Sequence, residues 1–148
     1  RQSQRLAMSN SNETSNEVEI LNQFFAAINR NDLATAIAFF APDIVRKEPE
    51  GFPTSGTYHG AAAVAANLIN GRGTWAEGSC DPEGFFQNGD KVVVYLHAHV
   101  RLHGATAWVG GRFADGFVVR HGKLVEYHSF AEREQAMAWA GITDGGTP

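Results

Sequence analysis

Val18, Leu21, Phe24, Phe25 and Ile28 recur at three- and four-residue intervals, the period of one apolar helix face, so a helix is predicted over about 15–30. Thr14 and Glu17 stand ahead of it as a Thr-x-x-Glu capping box. Asn31-Asp32 breaks the pattern, and Asp32 is placed to cap a second helix from Leu33 to Phe40, which Pro42 ends. Residues 44–48 read as a short strand. Residues 50–57 hold Gly51, Pro53 and Gly56 and read as a loop. Ala61 to Ile69 is a third, alanine-rich helix able to pack closely on a sheet.

After Gly73 the period shortens to two. A weakly patterned strand starts at Trp75, and Asn88-Gly89-Asp90 turns it into a long strand from Lys91 to Leu102. His103-Gly104 and His121-Gly122 make two further turns, framing strands Thr106–Arg120 and Lys123–Phe130. Glu132 to Ala140 reads as a closing helix. In the long strand the even positions, Val92 to Leu102, are uniformly apolar, whereas the odd ones include Tyr95, His97, His99, Arg101 and His103. One face is a dry wall, and the other has the polar, aromatic character of a subunit interface. Helices first and an antiparallel meander afterwards predict an α+β fold, with helices on one face of a strongly curved, mostly antiparallel sheet.

Composition narrows the function. The 148 residues, 43% of them hydrophobic and 19% charged, suit one globular domain, expected over 14–140 with a flexible tail at 141–148. Residues 1–13 are expected to be disordered; Met8 reads as the natural start, with Arg1 to Ala7 a foreign remnant. A net charge of −4 and no basic–aromatic cluster argue against nucleic acid as a partner. Cys80 stands alone, so no internal disulfide or cysteine-rich zinc site is expected. The polar N-terminus has no signal-peptide core and no apolar run is long enough to span a membrane, so the cytoplasm is the expected location.

Two carboxylates carry the candidate chemistry. Glu48 precedes a proline that holds it extended, and strand alternation puts it on one side with Ile44 and Arg46. Its structural reading is a rim carboxylate paired with Arg46. Asp115 shares a strand face with Phe113, Phe117 and Val119, whose company would raise its pKa by desolvation. Two acids meeting in an apolar pocket would have their pKa values driven apart, which suits paired proton transfer. His97 and His99 form a His-x-His pair, the basis of an alternative reading as a metal-dependent enzyme, but a metal site needs a third ligand. Arg112 and Asp115, three apart, face opposite sides of a regular strand and cannot act together unless a bulge intervenes at Gly110-Gly111.

The segments Phe24 to Leu33, Phe40-Ala41-Pro42-Asp43 leading to Glu48-Pro49, Tyr58-His59-Gly60, Asp115-Gly116-Phe117 and Gly122 to Glu126 resemble, in order and spacing, the nuclear transport factor 2-like superfamily. Within it the likeness is to the ketosteroid isomerase and polyketide cyclase branches, over about residues 16–131. The resemblance implies a cone-shaped pocket for an apolar small molecule, lined by Phe24, Tyr58, Val94, Leu96, Phe113, Phe117, Tyr127 and Ser129. It implies a homodimer through the outer sheet face, with Tyr95, His97, His99 and Arg101 in the interface. Glu48 falls at the position of the isomerases' proton-shuttling aspartate, and Asp115 at that of the acid which those enzymes keep neutral at pH 7 to donate to the oxyanion. Phe24 replaces the oxyanion-binding tyrosine; Tyr127, Ser129 or Tyr58 are the candidate substitutes. The expected function is cofactor-free acid–base chemistry, of isomerase, cyclase, dehydratase or hydrolase type, on an apolar carbonyl- or epoxide-bearing substrate. A non-catalytic dimeric module for a hydrophobic ligand or a protein partner is the other reading of the same pocket.

Overall fold

Ser15 opens the first helix, α1 (Asn16–Asn29), its Oγ accepting from the Val18 N–H at 3.1 Å. A computed structural model of the chain describes residues 15–143, so Thr14 of the expected capping box, the segment 1–13 and most of the tail lie outside the described residues. The predicted apolar stripe is the buried face of α1: Ile20, Leu21, Phe24, Phe25, Ala27 and Ile28. Asp32 caps α2 (Leu33–Ile37), one carboxylate oxygen accepting from the Thr35 N–H and the other from its hydroxyl.

The second helix ends three residues earlier than expected, and Pro42 lies inside a strand, β1 (Phe40–Glu48). Pairing decides this: the Leu124 N–H donates to the Phe39 carbonyl at 2.8 Å, and Phe40 registers with Leu124. Pro42 is tolerated because the register is irregular between Phe40 and Val45, where no ladder donor is required of it. The expected loop also ends early, in β2 (Gly56–His59), antiparallel to β1. Then follow α3 (Ala61–Arg72), β3 (Trp75–Asn88), β4 (Lys91–Leu102), β5 (Trp108–Arg120), β6 (Lys123–Phe130) and α4 (Arg133–Ala140).

The six strands form one sheet in the order β2-β1-β6-β5-β4-β3, antiparallel throughout except for the parallel β1–β6 pair. Register shifts in β1, in β3 after Trp75 and Pro82, and at Val118–Val119 add twist and bend to the sheet. The even residues of β4, among them Val92, Val94 and Leu96, face α1 in the main core with Phe24, Phe117 and Leu124. The odd residue Val93 joins a second core with Ala114, Ala136, Met137 and Ala140. Helices were expected on one face only; α4 lies on the other. It is held there by Trp139 seated against Gly116, where a Cβ would come within 2.6 Å of the indole. Ile142, assigned to the tail from sequence, packs on this second core.

Candidate active site

Strand alternation in β1 turns Ile44, Arg46 and Glu48 to the inner face, all three buried. The parallel pairing places Arg46 beside Tyr127, and the β5–β6 register places Asp115 opposite Ser129 and Phe117 opposite Tyr127. Residues far apart in sequence thus share one patch of the concave face. The patch opens on a cavity of about 380 Å³ between sheet, α1 and α3. Arg46, Glu48, Asp115, Tyr127 and Ser129 line its polar end with Thr54 and Asn67, and Phe25, Leu68, Trp75 and Phe113 are among its apolar walls.

Glu48 is 9% exposed. Its Oε2 accepts from Thr54 Oγ1 at 2.6 Å and Asn67 Nδ2 at 3.1 Å, and lies 3.4 Å from an Arg46 terminal nitrogen. The expected pair with Arg46 therefore exists, but it is buried rather than at a rim. All these contacts fall on one oxygen; no described residue donates to Oε1. Arg46, 6% exposed, spreads its guanidinium 3.8 Å from the centre of the Tyr127 ring.

Asp115 is 3% exposed and accepts from the Ser129 hydroxyl at 2.6 Å through Oδ1 alone. Burial pushes its carboxyl up to about 6, further raised by Glu48 and held back by the Arg46 charge and the Ser129 hydrogen bond. The shift runs in the direction of the expected neutral acid. Burial likewise raises the Tyr127 phenol, so it is a neutral O–H, and the Cys80 thiol, which lines the same cavity.

Other expected lining residues lie elsewhere. Phe24, Phe117, Val94 and Leu96 are fully buried in the core beside the cavity rather than on its wall. Phe24 packs edge-on against Phe25, Phe117 and Tyr127 and offers no hydroxyl to the cavity. Tyr58 is turned to the Thr54 carbonyl, to which it donates at 2.7 Å, and so positions the loop over Glu48 instead of lining the site. Thr54 and Asn67 were not foreseen. Asn67 had a signal, as the one polar residue in the run Ala61–Ile69; Thr54, in a loop, had none.

Arg112 points outward to Glu83 at 3.1 Å, away from Asp115 as alternation requires. His97 and His99 stack on the outer face, His99 also against Trp108, and no set of three metal-ligating side chains gathers among the described residues. Tyr95 packs under α4, 4.5 Å from the Phe86 ring with Arg133 over it at 4.3 Å. No helix of the described residues is long and apolar enough to cross a membrane.

Residues 21–127, which include every one of these inward-facing polar groups except Ser129, match the model of the SnoaL-like domain. The chain belongs to the SnoaL-like family. Solved structures give the same fold. An NTF2-like protein of Burkholderia xenovorans is 29% identical, with 86% of this chain and 97% of that one covered and a TM-score of 0.67. TerC, co-crystallised with polyporic acid, is 22% identical (85% and 98% covered, TM-score 0.69). A protein of Catenulispora acidiphila with a ketosteroid isomerase-like fold, in complex with trimethylamine, is 15% identical (88% and 98%, TM-score 0.68). No curated protein matches the chain. A SnoaL-like cone accommodates polyketide cyclases and isomerases alike, so the activity has to be argued from the site.

Proposed function

We propose that this SnoaL-like protein is an enzyme that transfers protons, without a cofactor, on an apolar small molecule bearing a carbonyl or epoxide. The observation that carries the reading is the pair of buried carboxyls on one cavity, each with an oxygen left unbonded by the protein, in walls otherwise largely apolar. Glu48 Oε1 takes a proton from the substrate carbon or from an attacking water. Asp115, protonated, donates to the substrate oxygen on which charge develops. Burial raises the Asp115 carboxyl toward the range in which a general acid is effective. The co-crystallisation of TerC with polyporic acid is in keeping with a small-molecule role for such a cone.

Deuterium wash-in tests the reading without knowledge of the product. Apolar ketones incubated with the protein in heavy water lose the NMR signal of the C–H beside the carbonyl if a base removes it, and epoxides yield diols. Glu48→Gln and Asp115→Asn are each expected to reduce the rate by about 10²–10⁴-fold. Glu48→Gln strands the Arg46 charge, so its thermal unfolding is measured alongside; Asp115→Asn keeps the Ser129 hydrogen bond and strands nothing. Full activity in both variants refutes the assignment. Tight binding of such compounds with no exchange favours the non-catalytic module.

The dimer belongs to the same proposal, narrowed to the part of the outer face beyond α4, where His97, His99 and Arg101 lie near the exposed Trp108. Trp108→Glu is expected to shift sedimentation from dimer to monomer, and a wild type that sediments as a monomer removes the interface.

A further inference from the structure

We infer that Arg46 is the ligand-binding cation of this cavity, and that the ligand carries an oxygen that is, or becomes, an anion on an otherwise apolar body. The inference deepens the proposed function by naming the charge of its substrate. A guanidinium is permanently charged, and removing it from water is costly unless its donors are used. Arg46 is nine-tenths buried yet uses few of them. One terminal nitrogen donates to the carbonyls of Lys47 and Tyr127, at 3.2 and 3.3 Å. The other has only the 3.4 Å ion contact with Glu48. Nε, wholly buried, has no partner. Nε, closed off from the cavity, shares that state with Arg133 Nε on the outer face; the spare donor a ligand could meet is on the second terminal nitrogen.

Position supplies the second argument. Arg46 lines the cavity at its polar end, between the two carboxyls and flat against Tyr127. It is the one Lys or Arg at that end; Arg72, the other arginine on the lining, is tied to the end of α1 through the Ile28 and Asn29 carbonyls and lies over Trp75. Phe24 offers no hydroxyl from α1, so among the groups lining the cavity's polar end Arg46 is the one that brings a positive charge to a bound oxygen. The groups facing Asp115 are Arg46 and Glu48 from β1, Tyr127 and Ser129 from β6 and Cys80 from β3. Arg46 is the one positive charge among them.

4-Nitrophenol is a suitable probe: an apolar ring with one ionisable oxygen, whose phenolate absorbs apart from the phenol. Titrated with the full chain at several pH values, it is expected to bind as phenolate in preference to phenol, its pKa falling on binding. Arg46→Met is expected to reverse that preference by about tenfold or more, the scale of one charge-assisted hydrogen bond. Arg46→Lys is expected to restore part of it. Because Arg46→Met leaves Glu48 buried without its counter-charge, Arg46→Met/Glu48→Gln is measured beside it and should lose the preference in the same way. Glu48→Gln alone should strengthen phenolate binding. The inference is overturned by equal phenol-to-phenolate ratios in wild type and Arg46→Met, or by no binding of either form. Neither result depends on turnover, so a loss of the proton-transfer reading in the deuterium experiment would leave this one standing, and the reverse.

Discussion

Two neighbouring positions on β6 divide the molecule. Ser129 faces inward and donates to Asp115 at 2.6 Å; His128 faces outward and meets Glu126 at 2.8 Å. The first pair joins β5 to β6 and the second lies within β6, yet burial acts on them in opposite senses. It raises the Asp115 carboxyl and lowers the His128 imidazole, because in both it disfavours the charged form. Beyond Asp115 lies an open cavity with carboxylate oxygens left unbonded. Beyond His128 lies Trp139 of α4, 5.0 Å from the imidazole. The outer face uses its side chains to seat a helix; the inner face holds polar groups back from one another and leaves them available to a ligand.

Packing variants should break this contrast most strongly. Phe117 is fully buried between α1 and Tyr127, and Phe117→Ala is expected to cost about 3–5 kcal/mol in urea unfolding. A cost under about 1 kcal/mol would mean that the core beside the cavity collapses freely.

Next comes the pH dependence of stability. The folded carboxyl of Asp115, at about 6, lies above its ordinary value of 3.8, so the native state holds its proton more tightly than the unfolded chain does. Its contribution is complete below about pH 4 and is lost as pH rises through about 6, a change of roughly 3 kcal/mol. His128 has the opposite sign: with its pKa below the ordinary 6.5, its contribution is present above that value and is lost as pH falls through the folded pKa. Unfolding curves at about pH 4 and pH 8 should therefore show Asp115→Asn removing a loss on the alkaline side and His128→Asn removing a loss on the acid side. The same sign for both variants would contradict burial as the dominant influence at one of the two sites.

Smaller effects sharpen the comparison. Gly116→Ala pushes a methyl against Trp139 and is expected to destabilise by about 1–3 kcal/mol while leaving deuterium wash-in intact. Ser129→Ala removes a donor that holds the Asp115 carboxyl down. It should cost about 1 kcal/mol and move the pH limb of activity upward; an unmoved limb would separate Asp115 from the chemistry.

Much of this was legible along the chain, because local physics decides it. The three- and four-residue spacing from Val18 to Ile28 requires one buried helix face, and alternation from Val92 to Leu102 requires two different sheet faces. The same alternation put Arg46 with Glu48 and kept Arg112 from Asp115. Pairing between distant strands decided the rest. The β6 partner drew Phe40 to Glu48 into one strand across Pro42, where local propensity favoured a helix end. The fit of Trp139 onto Gly116 put α4 on a face that the periodicity of the sequence left open. Phe24 looked like a cavity residue and is core, because Phe25, Phe117 and Tyr127 close around it. The sequence by itself determined which groups are acids, bases and cations and which side of its strand each one takes. Tertiary structure alone decided that Arg46, Glu48 and Asp115 share one hollow, since their meeting depends on register between strands that only the folded sheet defines.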